Sequence, residues 1–328
     1  MISRGQASWR HPVYMLSRLR SRRREQRRDP APFVVGVNRS GTTLLRMMLD
    51  AHPELTIPPE THFIPEVIRR ANHENTRRRL IRSITKHPRW GDFGLDEGEF
   101  RARAKQVRPL TAAGAIRCFY ELYAEQQGKP RWGDKTPRYM RAMPRIYRAL
   151  PEARFIHLIR DGRDVALSQR ERVIDDEDVT MAAMAERWQR RIAAAREGAA
   201  EVRAGIYLEV RYEDLVGDTE GTLRAICEFV ELEFDPAMLD YHRRAGDRLA
   251  EMNRDLDNTD NGIVRTADNR LAAHALTTEP PTTNRCGRWR SEMTAAEIAE
   301  FERVAGGMLA DLGYELGGDR ATAGEGVE

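Results

Sequence analysis

The chain has 328 residues, and its 54 basic and 51 acidic residues leave a net charge of +3, which does not indicate a nucleic-acid-binding protein. Mean hydropathy is −0.64, no apolar run approaches the ~18 residues of a membrane span, and the first twenty residues lack the apolar region of a secretory signal. We therefore expect a soluble, cytoplasmic protein. Three scattered cysteines, Cys118, Cys227 and Cys286, form no C-x-x-C pair, which predicts free thiols and neither a disulfide framework nor a cysteine zinc site.

Predicted strands and helices alternate along the chain. The apolar run "PFVVGV" predicts a buried strand, and "TTLLRMMLDAHP" predicts the helix after it. A helix at "GAIRCFYELYAEQQG" precedes a second strand at 154–160, which "DGRDVALSQRERV" follows as a helix. A long helix at 180–200, a third strand in "GIYLEVRYEDL" and two later helices complete the series. This order predicts an α/β fold, in which helices cover a parallel sheet on both faces.

Composition divides the chain into three parts. Residues 1–30 form a basic, arginine-rich arm, which favours either a solvated helix or tail or an arm that contacts anions or a membrane surface. Residues 31–316 are expected to form a single domain, and 317–328 a disordered tail. Within the domain, residues 246–285 are polar with few periodic apolar positions, which predicts a long loop or lid.

A glycine-rich turn follows the first predicted strand. "GVNRSGTT", residues 36–43, matches the phosphate-binding pattern G-x-x-x-x-G-K-[ST] except that Thr42 stands at the lysine position. A strand that turns into a helix in this way directs backbone N–H groups and the positive end of the helix dipole at one point. With the hydroxyls of Ser40, Thr42 and Thr43 added, the turn predicts a site for a phosphate-like anion. The alternative is an ordinary strand–turn–helix corner.

The end of the second predicted strand carries a cation. A P-loop ATPase needs an aspartate there to hold magnesium, whereas this strand ends in Arg160. Arginine binds phosphate through two hydrogen bonds and does not ligate a metal. We therefore expect a second anion site and no metal, which suits a nucleotide with phosphates at both ends of its ribose. The alternative is a structural pairing of Arg160 with Asp161 or Asp164.

These residues resemble a known family. "RSGTTLLR", "LDAHP", "ET" and, downstream, "RDGRDVALS" look like the sulfotransferases that use 3′-phosphoadenosine 5′-phosphosulfate (PAPS). The stretch "VGVNRSGTTLLRMMLDAHPELTIPPETHFIP" is most similar to the tyrosylprotein sulfotransferases and their bacterial relatives. The resemblance implies the sulfotransferase fold, PAPS as co-substrate without a metal, and adenosine 3′,5′-bisphosphate as product.

The same resemblance implies which residues contact the nucleotide. Those of the loop would hold the 5′-phosphosulfate, two would hold the 3′-phosphate, and three would make further contacts. In that order they are Arg39, Ser40, Gly41, Thr42 and Thr43; Arg160 and Ser168; and Arg172, Tyr212 and Arg288.

A catalytic group is implied as well. Glu60 in "PPETH" matches the general base, Lys135 in "GDKTP" matches a lysine close to the transferred sulfuryl group, and Arg39 completes the group. The chemistry needs such residues, because sulfuryl transfer, like phosphoryl transfer, depends on positioning and on cations that stabilise spreading negative charge. Alternatively, Glu60 is a helix N-terminal carboxylate, His62 is the base or a substrate contact, and Lys135 pairs with Asp134.

Two departures from the pattern of the tyrosylprotein enzymes predict the kind of acceptor. His62 and Glu66 stand where the tyrosylprotein enzymes carry basic residues that grip acidic peptides. A small molecule, glycolipid or aryl alcohol is therefore favoured over an acidic peptide. Three alternatives remain: a tyrosylprotein sulfotransferase acting on a peptide, a P-loop kinase or NTPase with a degenerate Walker lysine, and a binding protein without chemistry. Peripheral membrane contact through the arm and a homodimer are also left open.

Overall fold

The computed structural model describes residues 28–71, 76–171, 180–258, 263–272 and 274–317. Three sequence predictions lie outside these ranges. They are the arm up to residue 27, the nucleotide contact predicted for Arg172, and the tail beyond residue 317.

Helices and strands alternate over much of the described chain. The strands are β1 (Ala31–Gly36), β2 (Leu55–Thr56), β3 (Arg131–Trp132), β4 (Asp134–Lys135), β5 (Ala153–Ile159), β6 (Tyr207–Arg211), β7 (Leu256–Asn258) and β8 (Ile263–Arg265). The helices are α1 (Thr42–Asp50), α2 (Ile64–Arg70), α3 (Thr76–Thr85), α4 (Glu97–Gln106), α5 (Ala112–Gln126), α6 (Met143–Ala149), α7 (Gly162–Arg170), α8 (Met181–Ala200), α9 (Tyr212–Gly217), α10 (Thr219–Phe229), α11 (His242–Ala250), α12 (Ala267–Ala272), α13 (Trp289–Glu292) and α14 (Ala295–Asp311).

A parallel sheet with the strand order β4-β1-β5-β6 forms the centre of the fold. Val34 of β1 is paired with Lys135 on one side, and Gly36 is paired with Leu158 of β5 on the other. On the far side of β5, Ile159 is paired with Arg211 of β6. Since parallel strands end at the same edge, the residues that follow β1, β4, β5 and β6 meet there, where open α/β sheets bind their ligands.

Two apolar layers cover the sheet, one on each face. Phe33, Val35 and Phe155 point into a core that contains residues of α5, α8 and α14. Val34, Ile156 and Leu158 point to the other face, against residues of α1 and α10. Alternate residues of a strand point to opposite faces, so burial on both sides explains why β1 and β5 are almost continuously apolar. The predicted α/β class agrees with this arrangement.

The segment 246–285 differs from the predicted loop or lid. It contains the last part of α11, the antiparallel pair β7–β8, α12, and short 3-10 turns at Ala275–Thr278 and Thr283–Arg285. The apolar pattern is weak because charged side chains anchor the segment. Arg248 of α11, only 7% exposed, bonds to Asp50 of α1 at 2.8 Å and to the Tyr123 hydroxyl at 2.8 Å.

All three cysteines are free thiols, as predicted. His157 is fully buried in β5 and bonds to the Tyr207 hydroxyl at 2.6 Å, whereas His52 follows the end of α1 and contacts the Glu233 carbonyl oxygen. Among the described residues, no helix has the length and apolar character that crossing a bilayer requires.

Candidate active site

The predicted anion loop joins β1 to α1 at the carboxyl edge of the sheet. Gly41 precedes the helix with φ of +89°, and a Cβ atom there would lie 2.5 Å from the Tyr212 ring. A side chain at this position would therefore meet both an unfavourable backbone conformation and a steric clash. No side chain in the described part of the chain caps α1, so its first N–H groups, which have no partner within a helix, are available to a ligand.

Arg160 reaches the loop from the end of β5. One guanidinium nitrogen donates to the Arg39 carbonyl oxygen at 3.2 Å, and another donates to the Arg285 carbonyl oxygen. The guanidinium also lies over the Tyr212 ring, 4.7 Å from its centroid. The structural pairing considered for Arg160 is weak, because Asp164 is 3.9 Å away and Asp161 bonds to Arg163 instead.

Ser168 of α7 lies beside the same loop. Its hydroxyl oxygen accepts a hydrogen bond from Arg39 Nε at 3.0 Å. Arg39 has φ of +78°, which is uncommon for a residue with a side chain. Arg39, Arg160, Ser168 and Tyr212 are thus brought together at one end of the loop.

Arg288 is close to this group, but carboxylates occupy its guanidinium. It bonds to Glu292 at 2.8 Å and to Glu171. Asp164 fixes the backbone on either side of it by accepting from the amides of Gly287 and Trp289. These carboxylates use Nε and Nη2, whereas Nη1 is buried and makes no hydrogen bond within the described part of the chain, so that it could still receive a phosphate oxygen.

The predicted base and the predicted lysine are in direct contact. Lys135 Nζ lies 2.8 Å from Glu60 Oε1 and 3.3 Å from the Thr43 hydroxyl oxygen. The Lys135 side chain is 3% exposed, whereas that of Glu60 is 22% exposed. Lys135 therefore connects the anion loop to a carboxylate that solvent or an acceptor can reach. It does not pair with Asp134, the alternative partner.

Three neighbouring side chains determine the protonation of Glu60. Burial by itself would raise the pKa of Glu60, but Lys135, His62 and Arg89 together lower it well below its ordinary value of 4.5. His62 Nε2 is 2.8 Å from Glu60 Oε2, and the Arg89 guanidinium is 3.8 Å from the same oxygen. Burial lowers the pKa of His62 below 6.5. At neutral pH the site therefore holds an ionised carboxylate beside a neutral imidazole.

A buried hydrogen-bond network fixes the neighbours of both catalytic candidates. Asp134 Oδ2, preceding Lys135, accepts from the Tyr120 hydroxyl at 2.8 Å and from the Thr61 hydroxyl, next to Glu60, at 2.9 Å. The Thr61 hydroxyl also contacts the Tyr139 hydroxyl at 2.8 Å. Burial raises the pKa of Asp134 to about 6. This arrangement holds residues 60–62, where His62 has φ of +56°, against β4.

His274 also belongs to this environment. Burial and then the charge of Lys135 lower its pKa to about 3, with Glu60 acting in the opposite direction. The turn that follows it, Ala275–Thr278, packs against α1. The segment 246–285 thus covers one side of the site with a neutral imidazole.

Sequence reasoning missed Arg89, Asp134 as an organising residue, and His274. Arg89 and His274 carry no motif, and each reaches the site through packing of a distant segment. The only available signal was the position of Asp134 directly before Lys135 in "GDKTP". Among the described residues, no group of three or more histidine, cysteine, aspartate or glutamate side chains is arranged as a metal site.

Comparison with known proteins identifies the family. Residues 30–236 match the model of the sulfotransferase family. This match covers more than half of the chain, so the protein belongs to the sulfotransferase family. The predicted family is confirmed, and the predicted enzyme class and PAPS as co-substrate agree with it.

Two protein-tyrosine sulfotransferases are similar to this chain over most of its length. The chain is 25% identical over 292 residues to the protein-tyrosine sulfotransferase of Drosophila melanogaster, covering 88% of this chain and 52% of that protein. It is 27% identical over 309 residues to protein-tyrosine sulfotransferase A of Caenorhabditis elegans, covering 93% of this chain and 72% of that protein. The chain therefore spans about half the length of the Drosophila relative.

A solved structure supports the fold. The sulfotransferase domain of the Synechococcus PCC 7002 olefin synthase is 26% identical, with a TM-score of 0.55. The likeness covers 89% of this chain and 98% of that domain. The predicted sulfotransferase fold is confirmed.

Proposed function

We propose that the protein transfers the sulfuryl group of PAPS to a hydroxyl acceptor, with Glu60 as the general base. The observation that carries this proposal is the position of Lys135, whose ammonium contacts both the Thr43 hydroxyl in the anion loop and the Glu60 carboxylate. One cation is thus shared between the place where an anion is bound and the place where a proton is accepted.

Two anion-binding groups fit the two ends of PAPS. Residues 39–43 would hold the 5′-phosphosulfate, and Arg160 with Ser168 would hold the 3′-phosphate. Ser40 Oγ and Arg160 Nε support this assignment, since both are buried and make no hydrogen bond within the described part of the chain. Buried polar atoms are rarely left unpaired, and the oxygens of a phosphate would satisfy them. When bound, PAPS supplies the sulfuryl group, and the rest of it leaves as adenosine 3′,5′-bisphosphate.

The side chains of the site divide the remaining work. Lys135 offers a compact positive charge to the phosphosulfate oxygens that would lie next to Thr43, where negative charge develops in the transition state. As the ammonium turns toward the loop, Glu60 Oε1 loses its strongest partner and becomes a better proton acceptor. His62 and Arg89 keep the second carboxylate oxygen, Oε2, in place. A base positioned in this way contributes ~10²–10⁴-fold to the rate.

We propose a small molecule, glycolipid or aryl alcohol as the acceptor, because His62 and Glu66 leave the segment after Glu60 without a basic grip, and Glu66 pairs with Arg70 at 2.6 Å. A tyrosine-containing peptide is the second candidate. The relatives named protein-tyrosine sulfotransferase, which match 88–93% of this chain, favour it.

A binding assay and a transfer assay test the proposal together. Adenosine 3′,5′-bisphosphate without metal should raise Tm, because a ligand at 100 times its Kd stabilises a fold by ~2.7 kcal/mol. Label from PAPS should pass to one class of acceptor in a panel of phenols, sugars, lipids and tyrosine peptides. A shift with magnesium and ATP, but none with the bisphosphate, would favour the kinase alternative instead.

The basic arm is proposed to contribute membrane or lipid contact without chemistry. A variant that begins at residue 28 should bind adenosine 3′,5′-bisphosphate as tightly as the full chain and lose affinity for vesicles that contain anionic lipid. Loss of nucleotide binding in a folded variant would show that the arm completes the site.

A further inference from the structure

Arginines line a cavity at the carboxyl edge of the sheet, beside the anion loop. The cavity has a volume of about 290 Å³ and is lined by Gly36, Asn38, Arg138, Met140, Arg141 and Arg191. Gly36 ends the central strand β1, and Asn38 directly precedes Arg39. The 3-10 turn Pro137–Arg141 begins two residues after Lys135 and packs against both β1 and α8. The cavity therefore adjoins the proposed site without including its catalytic residues.

Positive charge is concentrated at this cavity, and its three lining arginines lack a carboxylate partner among the described residues. Arg138, Arg141 and Arg191 form no ion pair with any described carboxylate. Burial and then the charges of four arginines lower the pKa of Arg191; these are Arg141, Arg138, Arg187 and Arg190. Of them, Arg190 has a partner, Glu186 at 3.6 Å. Like charges held together at a cavity wall repel one another, and a bound anion would relieve that repulsion.

The field of this cluster extends to the catalytic side. The charge of Arg138 acts on His62, whose imidazole is bonded to Glu60. The charge of Arg138 thus connects the cavity to the side of the base, where an acceptor would bind.

We propose that this cavity binds a negatively charged group of a small acceptor, so that the enzyme sulfates hydroxyl compounds that also carry a carboxylate. This inference rests on the proposed function. Ligand pockets usually measure ~300–1,000 Å³, so a cavity at the lower end of that range suits one acidic group with a short carbon skeleton. A run of peptide residues would need an extended groove. Arginines fit the assignment because they bind carboxylates through paired hydrogen bonds.

A matched pair of acceptors tests the inference. The acid 3-(4-hydroxyphenyl)propanoate and its primary amide share their shape and phenol, and they differ in charge. Calorimetry with protein saturated with adenosine 3′,5′-bisphosphate should show the acid binding about tenfold more tightly, as expected for a charge-assisted hydrogen bond. The preference should fall as salt is raised, because the cavity is open to solvent.

Arg191→Gln should abolish the preference for the acid and leave the affinity for the amide unchanged. Arg138→Gln, at an exposed position, should do the same if the first variant folds poorly. Arg145→Gln is the matched control, because Arg145 is an exposed arginine of α6 that does not line the cavity. Equal affinity of acid and amide in the parent protein, or an equal loss for both in Arg191→Gln, would overturn the inference.

Two further experiments separate a small acidic acceptor from a peptide acceptor and from a contact within the chain. An Arg191-dependent preference for a glutamate-flanked tyrosine peptide over the small acid would overturn the small-acceptor assignment. The sequence also has four acidic residues at 175–178, outside the described ranges. In a variant with amides at these four positions, the effect of Arg191→Gln should persist, whereas its disappearance would show that the arginines serve this segment.

These binding measurements require no turnover. A failure of the proposed function would appear as an absence of transfer from PAPS to every acceptor in the panel. A failure of this inference would appear in the ratio of acid to amide affinity, even in an active enzyme.

Discussion

Glu60→Gln separates nucleotide binding from chemistry. The amide keeps the shape of the side chain, and its oxygen can still accept from Lys135, which lies 2.8 Å from Glu60 Oε1. Its nitrogen can donate to Nε2 of the neutral His62, in the other tautomer, across the present 2.8 Å contact. We therefore expect the fold and the lysine position to be preserved while the proton acceptor is lost.

The expected loss follows from the role of a base. Removal of a positioned general base costs ~10²–10⁴ in rate, or ~3–6 kcal/mol of barrier. The Kd for adenosine 3′,5′-bisphosphate should change little, because Glu60 contacts the loop only through Lys135. Single-turnover transfer with PAPS bound in advance measures the chemical step, and thermal shift measures affinity. Glu66→Gln is the control. Glu66 pairs with Arg70, so this variant should change neither the transfer rate nor the affinity appreciably.

The pH dependence adds a second readout. The pKa of Glu60 lies below 4.5 in the folded protein, so this carboxylate contributes stability that is present above pH 4.5 and lost as the pH falls through its folded pKa. In that acid range, the free energy of unfolding of Glu60→Gln should depend less on pH than that of the parent protein. If the variant transfers sulfuryl groups at nearly the parent rate, Glu60 is not the base and His62 becomes the candidate.

Three further predictions concern the surroundings of the site. Arg160→Ala should weaken adenosine 3′,5′-bisphosphate binding by about 10- to 150-fold, the equivalent of a charged hydrogen bond of ~1.5–3 kcal/mol, in a titration where Arg170→Ala serves as a surface control; unchanged affinity would remove Arg160 from the nucleotide site. Gly41→Ala should lower Tm and abolish bisphosphate binding, since its Cβ would lie 2.5 Å from the Tyr212 ring, and a variant with parent Tm and affinity would refute the loop geometry. The pKa of Asp134 is raised from 3.8 to about 6, so the free energy of unfolding should fall by up to ~3 kcal/mol as the pH rises from about 4 through 6. Urea titrations of Asp134→Asn should not show this fall. The same dependence of unfolding free energy on pH in both proteins would contradict the assignment.

The sequence predicted those parts of the site that depend on local chain geometry. A buried strand, a glycine-rich turn and a helix form one continuous segment, so the turn at 36–43 and Arg160 at the end of β5 could be located from patterns alone. Only the family resemblance implied that Glu60 and Lys135 belong to one site, because 75 residues separate the two along the chain, and their direct contact was not predicted.

The remainder depends on packing between distant segments. Arg248 reaches Asp50 across 198 residues, and ion pairs of this kind leave no periodic apolar pattern. The last part of α11 was therefore included in a predicted loop. Likewise, the arginines of the cavity come from two elements, the turn at Pro137–Arg141 and α8, whose proximity no spacing in the sequence shows.

The central claim is sulfuryl transfer from PAPS by the site at Glu60, Lys135 and the loop. Its most direct test is incubation of the protein with PAPS labelled in the sulfuryl group and the acceptor panel, with parallel measurement of labelled product and adenosine 3′,5′-bisphosphate. Both products should form in equal amounts without added metal, and Glu60→Gln should suppress both. Release of adenosine 3′,5′-bisphosphate with label appearing only as free sulfate, or transfer that Glu60→Gln leaves intact, would contradict it.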